Sequence, residues 1–274
     1  MSSKIDNRYL REEYLSRINR VIDYIESNME DELSLGKLAQ VASFSPYHFH
    51  RIFKALVGEP LNHFIQRVRL ERAAMKLVDQ PKLSVTEIAF ACGFSGSSSF
   101  ARAFKDHFQM SATEWRRQIE REKSKISIPE SKRGKANSKE WKDTATTFSY
   151  IESISRARRY TMSHTESLNV DVKEIPEMHV AYVRHIGPYK GDTELFDKLF
   201  NKIFKWAGAR DLLRFPETRV LAVYHDNPEI TDESKLRTSV CVTVPTDTTV
   251  DGEVGKMTIP GGKYAIGHFS MLYY

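Results

Sequence analysis

Apolar positions recur at helical spacing in the first half of the chain and at strand spacing in the second. Tyr14, Ile18, Val21, Ile22 and Ile25 recur at helical spacing between charged positions, which predicts a first helix over roughly residues 10–29. The next stretch, LSLGKLAQVASFSPYHFHRIFKALVG, returns about fifty residues later as LSVTEIAFACGFSGSSSFARAFKDHF. At an offset of 50, Leu33, Ser34, Ala39, Phe44 and Ser45 match Leu83, Ser84, Ala89, Phe94 and Ser95. After one inserted residue, Phe49, Arg51, Phe53 and Lys54 match Phe100, Arg102, Phe104 and Lys105. From about residue 168 the period changes: VDVKEIP and HVAYVRHIG read as strands, TELFDKLFNKIFKWAG as a helix, and RVLAVYHDNP and LRTSVCVTVP as strands again. The predicted order there is β-β-α-β-β.

Each copy of the repeat reads as two short helices around a tight turn, over residues 33–58 and 83–108. Ser34 and Ser84 stand where a hydroxyl can cap the first helix, and Glu87 completes a capping box with Ser84. Gly93 falls where a left-handed residue ends that helix; the first copy has Ser43 there, less suited to the geometry. Ser45 and Ser95 are predicted to cap the second helix, with Pro46 at its first position. Phe49, Ile52, Phe53 and Leu56 form an inward stripe, leaving Tyr47, His50, Arg51 and Lys54 on other faces. In the second copy Phe100, Phe104 and Phe108 turn inward, and Ser97, Ser98, Ala101, Arg102 and Lys105 outward. Between the copies LNHFIQRVRLERAAMKLVDQ predicts a long connecting helix with Phe64, Val68, Ala74 and Leu77 among its apolar positions. A short basic helix on a compact scaffold is the geometry of a major-groove reader, and a stiff connector would place two of them on adjacent groove segments of double-stranded DNA, about 34 Å apart.

Charge sharpens this picture. The 41 Lys and Arg outnumber the 36 Asp and Glu, for a formal charge of +5. The excess is concentrated in residues 34–165, whereas 1–33 and 166–274 are net acidic. A basic first half suits a polyanion, and the acidic last part suits something else. Residues 119–145 are polar, basic and without apolar period, and are read as part of a linker over 119–165. The apolar runs are too short to cross a bilayer and the N-terminus has no apolar signal core, so a cytoplasmic protein with no membrane partner is expected. Cys92 lies in a helical pattern and Cys241 in a strand pattern, giving neither a disulfide framework nor a thiolate zinc site. His48 and His50, two apart on a helix, diverge, so no metal is expected.

Residues 10–117, and above all IAFACGFSGSSSFARAFKDHFQMSATEWRR, resemble the DNA-binding domain of the AraC family of bacterial transcription regulators. The resemblance implies that Tyr47, His50 and Arg51, and Ser97, Ser98 and Arg102, face base edges, with the arginines able to grip guanine bidentately. The short Ser97-Ser98-Ser99 run implies more phosphate and shape contact than base discrimination in the second copy. VAYVRHIGPYKG and IPGGKYAIGHF resemble the gyrase-inhibitor-like effector-binding domain, over about 168–274. That family binds small molecules, often amphipathic or cationic, between two β-α-β-β units. A second echo at an offset of 84 (Ile175, Pro176 and Ala181 against Ile259, Pro260 and Ala265) marks the second unit, which has barely begun by Tyr274. The ligand-facing glutamate that the resemblance implies falls in the part not reached. Tyr189, Trp206 and Tyr224 are the remaining aromatic candidates for ligand contact, core packing being the commoner role of such rings.

The expected architecture is therefore two domains: an all-α double helix-turn-helix of homeodomain type over 1–118, then, after the linker, an α+β gyrase-inhibitor-like domain over 166–274, its second unit incomplete. The expected function is a regulator that binds promoter DNA and senses a small molecule, with RNA polymerase as a further partner and no cofactor. A hydrolase is the alternative, yet the sequence has no Gly-x-Ser-x-Gly elbow, His-Glu-x-x-His helix or phosphate-cradling glycine loop. A protein-interaction module is the other, since an unfinished sheet leaves an open edge.

Overall fold

The structure is a computed structural model that describes residues 2–126 and 170–267. Seven helices come first: α1 (Ser2–Ser27), α2 (Leu35–Val41), α3 (Pro46–Val57), α4 (Leu61–Asp79), α5 (Val85–Phe90), α6 (Ser97–Phe108) and α7 (Ala112–Ile126). The remainder is β1 (Val170–Ile175), β2 (Met178–Ile186), α8 (Thr193–Gly208), β3 (Val220–Tyr224), β4 (Arg237–Thr243), β5 (Gly255–Ile259) and β6 (Gly262–Gly267). By contacts the chain divides into two units, one of Met1–Tyr24, Leu35–Gly58 and His164–Tyr274, the other of Ile25–Ser34 and Glu59–Ser163.

In the first unit α2 and α3 make the first helix-turn-helix. Ser43 takes the left-handed conformation at φ 54°, and the Phe44 N–H closes the turn onto the Ala39 carbonyl at 2.9 Å. The Ser45 hydroxyl caps α3 by accepting from the His48 N–H, and Pro46 occupies the first turn, where no amide hydrogen is needed. α1 holds this turn from outside: Arg17 donates to the Ser43 carbonyl at 2.9 Å, and Tyr14 meets Phe44 edge-on at 5.3 Å.

The second unit repeats the design on α5 and α6. Gly93 has φ 80°, and Phe94 N–H donates to the Ala89 carbonyl at 3.1 Å. The expected capping box is present, with Glu87 N–H on the Ser84 hydroxyl and Ser84 N–H on the Glu87 carboxylate. These bonds hold the Glu87 carboxyl below its usual range. The predicted cap Ser95 is corrected: the inserted residue shifts the boundary, so Gly96 stands at the N-cap of α6 without a side-chain bond, and Ser99 bonds back to its carbonyl. Phe100, Phe104 and Phe108 are buried and step along α6 to Trp115 of α7 at ring distances of 4.6–6.0 Å. Ile119 is buried too, and α7 runs on to Ile126, so helix continues past residue 119, where the polar composition predicted a linker to begin. In α4 the four predicted apolar positions are all buried, and Arg67 is ion-paired with Glu59 and Glu71 inside the unit.

The C-terminal sheet is antiparallel in the order β3-β4-β2-β5. β1 departs from the simple β-β-α-β-β expectation, because it leaves this sheet and pairs with β6. The two strands of the first echo thus pair with the two of the second, β1 with β6 and β2 with β5. Alternation along the strands gives the sheet two faces. One carries Ala181, Val183, Val240 and Val242 against Leu199, Ile203 and Ala207 of α8. The other carries Val180, Tyr182 and Cys241, with Met178, Leu221, Val223, Met257 and Ile259 around them. Gly255 lies opposite Tyr182, where a Cβ would come within 2.3 Å of the ring.

Candidate functional site

The stripes that bury phenylalanine in α3 and α6 leave polar residues outside in both, with an arginine and a lysine at matched positions. Tyr47, His50, Arg51 and Lys54 on α3 are exposed, Tyr47 at 75%, and Arg51 leans over the Tyr47 ring at 5.8 Å. Ser97, Ser98, Arg102 and Lys105 on α6 are exposed as well. A buried aromatic row stands behind each helix, and Ser45 caps α3, so the donors on the free faces are presented at low entropic cost. Chemically each face can donate to phosphate oxygens and, through arginine, to two acceptors in one plane.

The three aromatic candidates for ligand contact separate. Tyr189 and Tyr224 come together, ring centroids 5.2 Å apart, with Phe196 of α8 within 6.5 Å of both. Tyr189 is buried and its phenol is pushed up by that burial, whereas Tyr224 is exposed. Trp206 is not part of this group. Its indole N–H donates to Asp251 at 2.8 Å, and Arg210 stacks over it at 4.7 Å while pairing with the same carboxylate.

A polar cluster that pattern reading missed lies on the sheet face away from α8. Arg237 is 2% exposed and grips Asp226 through Nε at 2.8 Å and Nη2 at 2.6 Å. Beside it the His225 ring meets the Ser239 hydroxyl at 2.9 Å. Burial, reinforced by Arg184 and Arg237, holds the His225 pKa down to about 3, so the ring is neutral near pH 7. Arg184 donates from Nε to Ser239 at 3.3 Å and from Nη2 to Asp23 of α1 at 2.8 Å, and the Tyr182 hydroxyl donates to the other oxygen of Asp23 at 2.5 Å. Cys241 on the same face is raised to about 12 by burial, which leaves it a protonated packing residue. No local signal points to this cluster, because Asp23 and Arg184 stand 161 residues apart. Among the described residues no group of three His, Cys, Asp or Glu side chains could hold a metal ion, and no helix is long and apolar enough to cross a membrane.

Comparisons with known proteins fall on the same two regions. Residues 38–118 match the family described as a helix-turn-helix domain, and residues 168–273 match the GyrI-like small molecule binding domain. The HTH-type transcriptional activator AarP of Providencia stuartii is 35% identical over 101 residues, which cover 37% of this chain and 74% of that protein. An uncharacterized HTH-type transcriptional regulator of Staphylococcus aureus strain COL is 37% identical over 92 residues, and the match spans only 12% of that relative's length. A crystal structure of an AraC-type transcriptional regulator from Chromobacterium violaceum is 29% identical, covering 37% of this chain and 90% of that one, with a TM-score of 0.35.

Proposed function

Because the chain belongs to the AraC family of helix-turn-helix transcription regulators and carries a GyrI-like small molecule binding domain, we propose that it is a one-component regulator, joining promoter recognition to effector sensing in one polypeptide. In this reading α3 and α6 each enter a major groove of double-stranded DNA. Tyr47, His50, Arg51, Ser97, Ser98 and Arg102 face base edges, and Lys54 and Lys105 neutralise phosphates. The second region takes a small molecule, and its occupancy biases DNA binding or contact with RNA polymerase. Such bias requires that ligand and DNA favour different states of the same chain.

The observation that carries the reading is the exposure of these eight side chains on two helices whose phenylalanines are buried. A merely duplicated bundle has no need of a basic free face at matched positions in both copies. Selection of bound sequences from random DNA by the purified chain tests it. A recovered bipartite motif is expected, and Arg51→Ala should erase discrimination at one base pair, at a cost of about 1–3 kcal/mol on specific DNA. An equal loss on random DNA would remove Arg51 from base reading.

A further inference from the structure

Tyr182 and Arg184 stand two positions apart on β2, on the same face, and converge on a single carboxylate. That carboxylate belongs to Asp23, one oxygen on the guanidinium and the other on the phenol. The arrangement is built rather than casual. The Arg184 side chain is 1% exposed, its guanidinium lies 4.6 Å from the Tyr182 ring centroid, and its Nε is tied to Ser239. The bare backbone of Gly255 leaves the space that the Tyr182 ring fills. Asp23 is more open, its side chain 21% exposed. The same face offers Met178, Leu221, Val223, Met257 and Ile259, all only partly buried. Few, convergent polar groups on an apolar floor are the make-up of a small-molecule site.

We propose that Tyr182 and Arg184 form a carboxylate subsite, filled in this structure by Asp23, and that the effector is an amphipathic carboxylate competing with Asp23. The proposal rests on the reading of this region as a sensor and extends it by giving the ligand a charge. The resemblance of the region implies amphipathic or cationic ligands, and here the donor chemistry decides. A guanidinium only donates, so the group it receives must be an acceptor, and an anion answers it best. The other ion pair on this face, Arg237 with Asp226, is internally matched.

The exchange has a route to the reader. Asp23 lies on α1, the helix that holds the first turn through Arg17 on the Ser43 carbonyl and Tyr14 on Phe44. While Asp23 fills the subsite, α1 is tied to β2. An effector carboxylate that takes its place unties α1 at this point, and that difference between the two states is what coupling needs. A tethered carboxylate also competes as if present at about millimolar concentration, which sets a threshold for the free ligand.

Calorimetric titration of the full chain with benzoate, benzamide and benzylamine tests the proposal. Asp23→Ala should bind benzoate about tenfold or more tightly than the wild type, because the tethered competitor is gone. Neutral benzamide and cationic benzylammonium should gain nothing. Adding Arg184→Gln or Tyr182→Phe to Asp23→Ala should reverse the gain. Tyr182→Phe keeps the ring, so it carries the test if the arginine variant does not fold by circular dichroism. Equal benzoate affinity in wild type and Asp23→Ala, no benzoate binding by Asp23→Ala in the millimolar range, indifference to Tyr182→Phe, or preference for benzylammonium would each overturn the subsite. Gel-shift titration of the same samples separates the two ideas. Loss of specific DNA binding with the benzoate pattern intact overturns the regulator and leaves the subsite, and the opposite result overturns the subsite alone.

Discussion

Arginine does two opposite things in this chain. Arg51 and Arg102 lie on exposed helix faces, with their charge spread into water. Arg237 and Arg184 are sunk into a sheet, each on a carboxylate that it cannot lose cheaply. An exposed charge costs little to keep and little to remove, so its worth shows only when a partner arrives. A buried pair was desolvated on folding, and removing one partner strands the other. Residue type therefore says little about whether a charge serves stability or recognition; surroundings decide.

The sharpest break of that contrast is Asp226→Ala, which leaves Arg237 buried without its carboxylate. Chemical denaturation should show a loss of about 3–5 kcal/mol, against less than about 0.5 kcal/mol for Arg51→Ala measured the same way. Next comes Gly93→Ala. A Cβ there would lie 2.1 Å from the Met29 carbonyl and 2.7 Å from Arg69 atoms, and φ is +80°. A loss of about 2–4 kcal/mol is expected, from strain plus overlap. Ser43→Ala, at the equivalent left-handed position, should lose under about 1 kcal/mol, because Ser43 is exposed and already carries a Cβ.

His225 gives a subtler signature. Unfolded His225 titrates near 6.5 and folded His225 near 3, so between these values only the unfolded chain takes up the proton. Stability should fall as pH drops through that window, with a slope approaching about 1.4 kcal/mol per pH unit, and His225→Gln should flatten this part of the profile. The smallest effect is expected at the helix ends. Ser84→Ala removes a capping box and should cost about 1 kcal/mol in thermal unfolding, whereas Ser95→Ala, which caps nothing, should be close to silent.

Much of the reader was legible because its information is local. Ser84 with Glu87, Pro46 after Ser45 and Gly93 before Phe94 act within four residues of themselves, and a helical period sorts Phe49 from Arg51 without reference to any other segment. Where local reading slipped, a single inserted residue was the cause: it moved the N-cap position of α6 from Ser95 to Gly96. The aromatic candidates of the sensor fared differently. Tyr189 met Tyr224 but not Trp206, since strand and helix patterns say which face a ring takes and not which rings meet.

Helix, strand and turn order, the duplicated helix-turn-helix units and the outward set of Tyr47, Arg51, Ser98 and Arg102 were determined by the amino-acid sequence alone, because periodicity and capping act over one or two turns. Tertiary structure decided that β1 abandons its neighbour for β6, that Arg237 is buried beside His225, and that Asp23 reaches Tyr182 and Arg184. Those outcomes depend on pairings between distant segments, whose closure entropy and desolvation are balanced only when the whole sheet is assembled.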